Sequence, residues 1–234
     1  MRFTILAAEW NAKLVALAKV MNSKVALPIY STFLLELKDG VLRITASDMD
    51  CSRCSTLPVM DMDRANEHNG SLCVASDVYK RQLKNLGDQP VTFEADEENL
   101  SVVIRYNNGQ FDMVGFPAKD YALPGTMGKS VQVTIEASVL NDSIGKSLYA
   151  VGNDDLRPIF SGIYFTKKGD ELQCATTNGS MLVRNTYKVE NDGQEYSFLL
   201  HSRAAKIVRS MTSKSDEKVQ VFITEREVAF QQET

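Results

Sequence analysis

Histidine is scarce: the 234 residues contain two, and neither stands where catalysis would want it. His68 falls in the polar stretch Asp61 to Gly70, and His201 precedes Ser202 at the expected start of a helix, where adjacency alone makes no catalytic triad. A glycine-rich phosphate loop of either familiar spacing is missing. Of the four cysteines, Cys51 and Cys54 form one C-x-x-C, but no second pair or spaced histidine pair follows to complete a zinc site. Nor do Cys51, Cys54, Cys73 and Cys174 make a disulfide framework in a chain this long, so reduced thiols and no metal are expected. The pairs Asp48/Asp50, Asp61/Asp63 and Asp154/Asp155 lie at turns, where aspartate is common for local hydrogen bonding. No apolar run reaches the length of a membrane span. Met1-Arg2-Phe3-Thr4-Ile5 enters a strand pattern directly, without the apolar core of a secretory signal. These absences point to a cytoplasmic protein without catalytic residues, cofactor or membrane partner.

What is present is a repeat. Sliding the sequence along itself by 130 residues, without a gap, places Thr4-Ile5 on Thr134-Ile135, Asn11 on Asn141, and Pro28-Ile29-Tyr30-Ser31 on Pro158-Ile159-Phe160-Ser161. Leu42 falls on Leu172 and Val59 on Val189, and eleven positions between Arg2 and Val59 coincide in all. Chance would give roughly three or four at ordinary residue frequencies. A constant offset over such a span marks a duplicated domain. The length suits two domains of just over a hundred residues, and 44% hydrophobic with 24% charged residues suits a globular one.

In the first copy a short strand ends at Ile5. Trp10, Leu14, Leu17 and Met21 then recur at the spacing of one helical face, with Lys13 and Lys19 off it. Leu27-Pro28-Ile29 interrupts the helix. Thr32 to Leu37 and Val41 to Ala46 flank Asp39-Gly40 as a hairpin, and Cys51 to Val59 is a third strand. Ser71 to Ala75 is a strand, and Ser76 or Asp77 can cap a helix reaching Leu86. Val91 to Ala95, Leu100 to Tyr106 and Gln110 to Phe116 complete a meander. Pro117 to Ser130, with two prolines and two glycines, reads as an extended linker.

The second copy repeats the scheme: a helix from Ala137 to Tyr149, a hairpin of Gly162 to Thr166 with Leu172 to Thr176, and a strand from Met181 to Val189. Ser202 to Met211 is its second helix, followed by strands Val219 to Thr224 and Glu227 to Gln231. Nothing in it corresponds to Gln110 to Phe116, so one sheet edge should be unpaired. The expected class is α+β, with helices on one face of antiparallel sheets.

Charge supplies the functional signal. The net charge is -4, yet basic residues sit off the apolar stripe of every expected helix. They are Lys13 and Lys19, then Lys80, Arg81 and Lys84, then Lys146, then Arg203, Lys206 and Arg209, with Lys24 just after the first helix. One helix so decorated is an ordinary solvated face. Recurrence in both copies points to a shared surface that attracts phosphates without reading bases, and hence to salt-dependent, sequence-independent binding of duplex DNA.

The order strand, helix, Leu27-Pro28-Ile29, hairpin, Thr45-Ala46-Ser47-Asp48-Met49-Asp50, then Val74-Ala75-Ser76, then Phe111 with Phe116-Pro117, resembles the first domain of the bacterial sliding clamp, the DNA polymerase III beta subunit. Leu156-Arg157-Pro158-Ile159-Phe160-Ser161-Gly162-Ile163 and Ala175-Thr176-Thr177-Asn178-Gly179-Ser180-Met181-Leu182 resemble its second domain. The resemblance implies two tandem copies of the DNA-clamp fold: domain I at 1–117, a linker at 118–130, and domain II at 131–234 without its last strand, the third domain being absent from this chain. It also implies a homodimeric ring around duplex DNA, closed head to tail by full-length chains. By position Lys24 and Arg203 match residues that touch DNA. The family's pocket for a short peptide motif of polymerases and clamp-loader subunits would here draw on Phe160, Thr177, Gly179, Ser180, Met181 and Leu182. Phe111 and Met113 match the edge that meets the neighbouring chain. Where the family usually has Asp-Gly-His-Arg-Leu, this chain has Asn178-Gly179-Ser180-Met181-Leu182. The leading expectation is the N-terminal part of a processivity clamp with no catalytic activity of its own. The alternative is a naturally short, clamp-like protein that binds clamp partners without encircling DNA.

Overall fold

The computed structural model describes residues 1–21, 27–60, 69–78, 82–123, 125, 127–153, 156–212 and 217–232. Lys24, His68, Lys80, Arg81 and the pairs Asp61/Asp63 and Asp154/Asp155 lie outside them. The chain forms two compact units, Met1–Pro124 and Gly125–Thr234. Among the described residues no helix is long and apolar enough to cross a membrane.

The first unit begins with β1 (Arg2–Leu6) and α1 (Ala7–Leu17), followed by a 3-10 turn, Pro28–Ser31. Then come β2 (Thr32–Lys38), β3 (Val41–Ser47), β4 (Ser52–Pro58) and β5 (Gly70–Ala75). The remaining strands are β6 (Pro90–Ala95), β7 (Ser101–Tyr106), β8 (Gly109–Val114) and the short β9 (Phe116–Pro117). They build two sheets, ordered β1-β6-β7-β8 and β4-β3-β2-β5-β9, with antiparallel pairings throughout the described strands.

Local chemistry explains these elements. Asp39 and Gly40 have φ of 51° and 73°, the doubly left-handed turn whose twist suits a two-residue hairpin. Helix α1 buries Ala7, Trp10, Leu14 and Leu17. The Trp10 ring meets Phe3 at 5.6 Å and Phe93 at 5.7 Å, both edge-on, while Phe3 and Phe93 stack at 4.9 Å. Each such side chain gains about 1.5–3 kcal/mol on leaving water, and this triad joins α1 to the β1–β6 pair. The helix ends earlier than Met21. Tighter bonds from Val20 N–H to Leu17 and from Met21 N–H to Ala18 close it.

Two expectations for this unit are corrected. Gln110 to Phe116 is not one strand: it breaks at Gly115, and β8 and β9 join different sheets. A Cβ on Gly115 would lie 2.5 Å from Leu72 Cδ2 and 3.0 Å from the Cys73 carbonyl, so only glycine lets the chain cross so close to β5. The supposed linker begins inside the unit, since Ala118–Asp120 forms a 3-10 turn and Tyr121 is buried beside Tyr30, Leu34 and Cys73. Of the helix expected up to Leu86, the described part shows a 3-10 turn at Leu83–Asn85, while residues 79–81 are outside the described set.

The second unit contains β10 (Val131–Glu136), α2 (Ala137–Ser147), β11 (Gly162–Lys168), β12 (Glu171–Thr177) and β13 (Leu182–Lys188). It continues with β14 (Tyr196–His201), α3 (Ser202–Thr212), β15 (Lys218–Ile223) and β16 (Val228–Gln231). Its sheets run β10-β15-β16 and β13-β12-β11-β14. Strand β14 was not foreseen. Its inner residues Tyr196, Phe198 and Leu200 are buried, with Phe198 stacked on Phe165 at 4.9 Å. Helices α2 and α3 pack on each other, tied by Asn141 Nδ2 donating to the Arg209 carbonyl at 3.0 Å.

Candidate functional site

Of the residues expected to contact DNA, those within the described set, Lys84, Lys146, Arg203, Lys206 and Arg209, fall into three environments. Lys84 is exposed on the 3-10 turn Leu83–Asn85. On α2, Lys146 pairs with Asp142 at 2.6 Å. The Tyr187 hydroxyl donates to the same carboxylate at 2.9 Å. The Lys146 hydrogen bond, seconded by Tyr187, holds the Asp142 carboxyl below its ordinary value. Lys146 thus has an acidic partner on its own helix.

Helix α3 is different, because its sequence contains no acid. Ala205, Ile207, Val208 and Thr212 are buried, while Lys206 and Arg209 are exposed and Arg203 is partly so. Positions 203, 206 and 209 follow one another at a spacing of three, so the cations form one stripe along the helix. The Arg209 guanidinium lies across α2 where the side chain is smallest: a Cβ on Gly145 would sit 3.1 Å from its Nη2. Sequence reasoning named this stripe, and the structure shows it as the described helix face of purely positive charge.

The residues of the expected peptide pocket surround one turn. Asn178 Oδ1 accepts from the N–H groups of Ser180 at 3.0 Å and Met181 at 2.9 Å. Thr177 Oγ1 donates to the Met181 carbonyl at 2.6 Å and accepts from Gly179 N–H at 3.1 Å. Gly179 holds φ at +91°, a conformation L side chains rarely adopt. The turn thus presents Met181 and Leu182, both exposed. Phe160 lies on the 3-10 turn Pro158–Ser161 with the Arg157 guanidinium 4.8 Å above its ring. Gly152 brings the two pieces together, since a Cβ there would stand 3.2 Å from Phe160 Cβ and 3.4 Å from Asn178 Cα. Leu156 and Ile159 add exposed apolar surface to the same 3-10 turn and its approach.

Phe111 and Met113 occupy alternate positions of β8, opposite Ile104 and Met113's partner Val102. Both are half-buried, and β8 is the outer strand of its sheet. Among the described residues no strand pairs with its outer edge.

The model for the N-terminal domain of the DNA polymerase III beta subunit matches residues 1–124, and that for its central domain matches residues 134–234. The chain belongs to the DNA polymerase III beta subunit family. The beta sliding clamp of Bacillus subtilis (strain 168) is 23% identical over 234 residues, an alignment covering 98% of this chain and 62% of that relative. The beta sliding clamp of Staphylococcus epidermidis is 22% identical over 233 residues, with the same coverage. Among solved structures, a putative DNA polymerase III beta subunit from Eubacterium rectale superposes with a TM-score of 0.91 at 15% identity, over 100% of this chain and 62% of its own. The DNA polymerase sliding clamp from Bacillus subtilis gives 0.89 at 21% identity, over 99% and 62%. The fold is thus α+β, two tandem copies of the sliding-clamp fold. The chain spans 62% of the length of these DNA polymerase III beta subunit relatives.

Sequence reasoning missed a second polar feature of the central unit. A cavity of about 330 Å³ is lined by Val133, Ile135, Lys167, Asp192 and Tyr196 among others. Lys167, almost wholly buried, reaches Asp192 Oδ1 at 2.5 Å and the Gln194 carbonyl at 3.0 Å. The available signal was the repeat itself, which pairs Lys167 with Leu37, a core position in the first unit.

Proposed function

We propose that this chain supplies two domains of a sliding clamp, a non-catalytic ring that encloses duplex DNA and tethers the replicative polymerase to it. The observation that carries this reading is the match of both units, in order, to the N-terminal and central domains of the DNA polymerase III beta subunit. The acid-free stripe Arg203, Lys206 and Arg209 suits it. Such a stripe meets the phosphate backbone by charge alone, so binding is indifferent to sequence and the protein can slide. Lys146 in the second unit and Lys84 in the first are proposed as further phosphate contacts, and Lys24, Lys80 and Arg81, which lie outside the described residues, are proposed from the sequence alone.

In this reading polymerase and clamp-loader subunits dock by a short peptide on the face built by Phe160, Thr177, Gly179, Ser180, Met181 and Leu182. With Ser180 and Met181 where the family usually has histidine and arginine, Arg157 is the charged side chain beside that face among the described residues, and Met181 and Leu182 offer exposed apolar surface, so it favours apolar side chains in the peptide. Phe111 and Met113 present the edge at which a second chain closes the ring.

The DNA surface is tested by duplex binding across a salt series. Binding should be equal on unrelated sequences, and each of Arg203→Ala, Lys206→Ala and Arg209→Ala should reduce the slope of log K against log salt by about 1. Unchanged slopes in all three variants would remove α3 from the DNA surface.

A further inference from the structure

The duplication shows what the cavity of the second unit replaces. The 130-residue offset places Val133 on Phe3, Ile135 on Ile5, Lys167 on Leu37 and Val189 on Val59. In the first unit Phe3, Ile5, Leu37 and Val59 are at most 3% exposed and pack as apolar core. Strand register extends the comparison: Leu37 stands opposite Gly70, and Lys167 stands opposite Tyr196. Gly70 has no side chain, and a Cβ there would run into the Glu97 carboxylate. In the second unit, then, a ring is cut back to valine, a leucine becomes an ammonium and a glycine becomes a tyrosine. The space among them, about 330 Å³, is bounded by side chains between residues 132 and 218. The first-unit segment that pairs with β5 does so at Leu72 and Cys73. Those positions register with Phe198 and Leu199 and not with Tyr196, so the cavity walls draw nothing from the outer edge of β14.

The polar groups of this cavity have bonding capacity left over. Lys167 is 3% exposed, and two of its three N–H groups reach Asp192 Oδ1 and the Gln194 carbonyl. Its third N–H has no acceptor among the described residues. Asp192 Oδ1 also accepts from the Gln194 N–H at 3.0 Å, while its Oδ2 accepts from no described residue. Tyr196 is 9% exposed, lines the cavity, and makes no side-chain hydrogen bond with a described residue. Burial, with Asp192 and Cys174 nearby, pushes its phenol above the ordinary value, so the hydroxyl stays a donor. A buried donor without an acceptor is costly, and one that faces a cavity finds its acceptor in what fills it.

Charge narrows the class of occupant. The charged residues lining the cavity are Lys167, Lys218, Asp192 and Glu190, two of each sign, so neither an anion nor a cation is favoured. A spare N–H beside a spare carboxylate oxygen suits a group that both accepts and donates. Val133, Ile135 and Val189 supply apolar wall. We propose that this cavity is a binding site for a small, neutral, partly apolar molecule carrying an amide or lactam group, whose carbonyl accepts from Lys167 and Tyr196 and whose N–H donates to Asp192. Its volume lies at the small end of ligand sites, which suits a free molecule. The site stands apart from the sliding-clamp reading and does not depend on it.

The test follows the amide chemical shifts of the whole chain during titration with caprolactam as probe, beside hexanoate and hexylamine as anionic and cationic counterparts. Saturable shifts at residues 132–135 and 189–196 are expected at about millimolar caprolactam, with neither charged molecule reproducing them. Lys167→Leu should weaken binding at least about tenfold and Tyr196→Phe several-fold. Val133→Phe, which restores the ring of the first unit, should abolish it. Urea midpoints report whether each variant folds, and if Val133→Phe does not, the other two still decide. Duplex-DNA binding should be unchanged in all three, which separates failure of this site from failure of the clamp reading. Absence of saturable shifts, meaning that the cavity takes up water only, overturns the proposal. So do shifts confined to other residues, equal binding of hexanoate or hexylamine, or undiminished binding to Lys167→Leu or Tyr196→Phe.

Discussion

Lys167 holds in the second unit the core position that Leu37 holds in the first. A buried ammonium is tolerated only with partners, here Asp192 and the Gln194 carbonyl. Removing one partner leaves a charge stranded, whereas replacing the lysine with an apolar residue removes the burden. Asp192→Ala should therefore cost about 2–3 kcal/mol in urea unfolding, while Lys167→Leu should be neutral or stabilising. The thiols give a pH dependence at the same scale. Burial pushes Cys73 up to about 11 and Cys174 up to about 12, from an ordinary value of 9.0. Folded thiols then keep protons that unfolded ones release, so their contribution is complete below about pH 9 and fades as pH climbs through 11 to 12. Unfolding midpoints should fall between pH 8 and 10.5, and less steeply in Cys174→Ala. An equal slope in that variant would assign the alkaline loss to other groups. Single residues were the least legible part of the sequence. Lys167 looks like any surface lysine until the repeat pairs it with Leu37, and Tyr121 looks like linker until its ring is seen against Tyr30.

Among elements, α3 was readable from the sequence because Ile207 and Val208 alternate with Arg203, Lys206 and Arg209 at helical spacing, and packing and charge agree. Strand β14 was not, because Leu199 is apolar yet faces outward, which blurs the two-residue period of Tyr196, Phe198 and Leu200. The break between β8 and β9 was hidden for a similar reason: glycine carries no hydropathy signal, and its role at Gly115 is the close approach to Leu72. Gly115→Ala should accordingly destabilise the first unit by about 1–3 kcal/mol through overpacking, measured as a lower urea midpoint with an unchanged m-value. A neutral result would mean that Leu72 moves aside. In the candidate site the helix stripe was legible from spacing, whereas Thr177 to Leu182 were named only through the family resemblance and no turn was expected there. The pairing of Lys146 with Asp142 was not foreseen, although the i, i+4 spacing on α2 would have allowed it.

At the scale of the whole molecule, the repeat was the most legible feature, because a constant offset needs no knowledge of structure. It fixed the number of units and their order, and the family models agree with both. The boundary between the units was harder, since the Pro- and Gly-rich segment at 117–130 contributes Tyr121 to the first core before it leaves. The topological claim of the proposed function makes one prediction that no surface contact can imitate. A ring threaded by DNA is held by closure and not by affinity, so it escapes only over an end. The measurement is retention of the protein, as its own cell makes it and loaded by its own clamp loader, on closed circular DNA at high salt, before and after a single cut. The account predicts retention on the circle and rapid release on linearisation. Retention that the cut leaves unchanged, or release from the circle by salt alone, would contradict it.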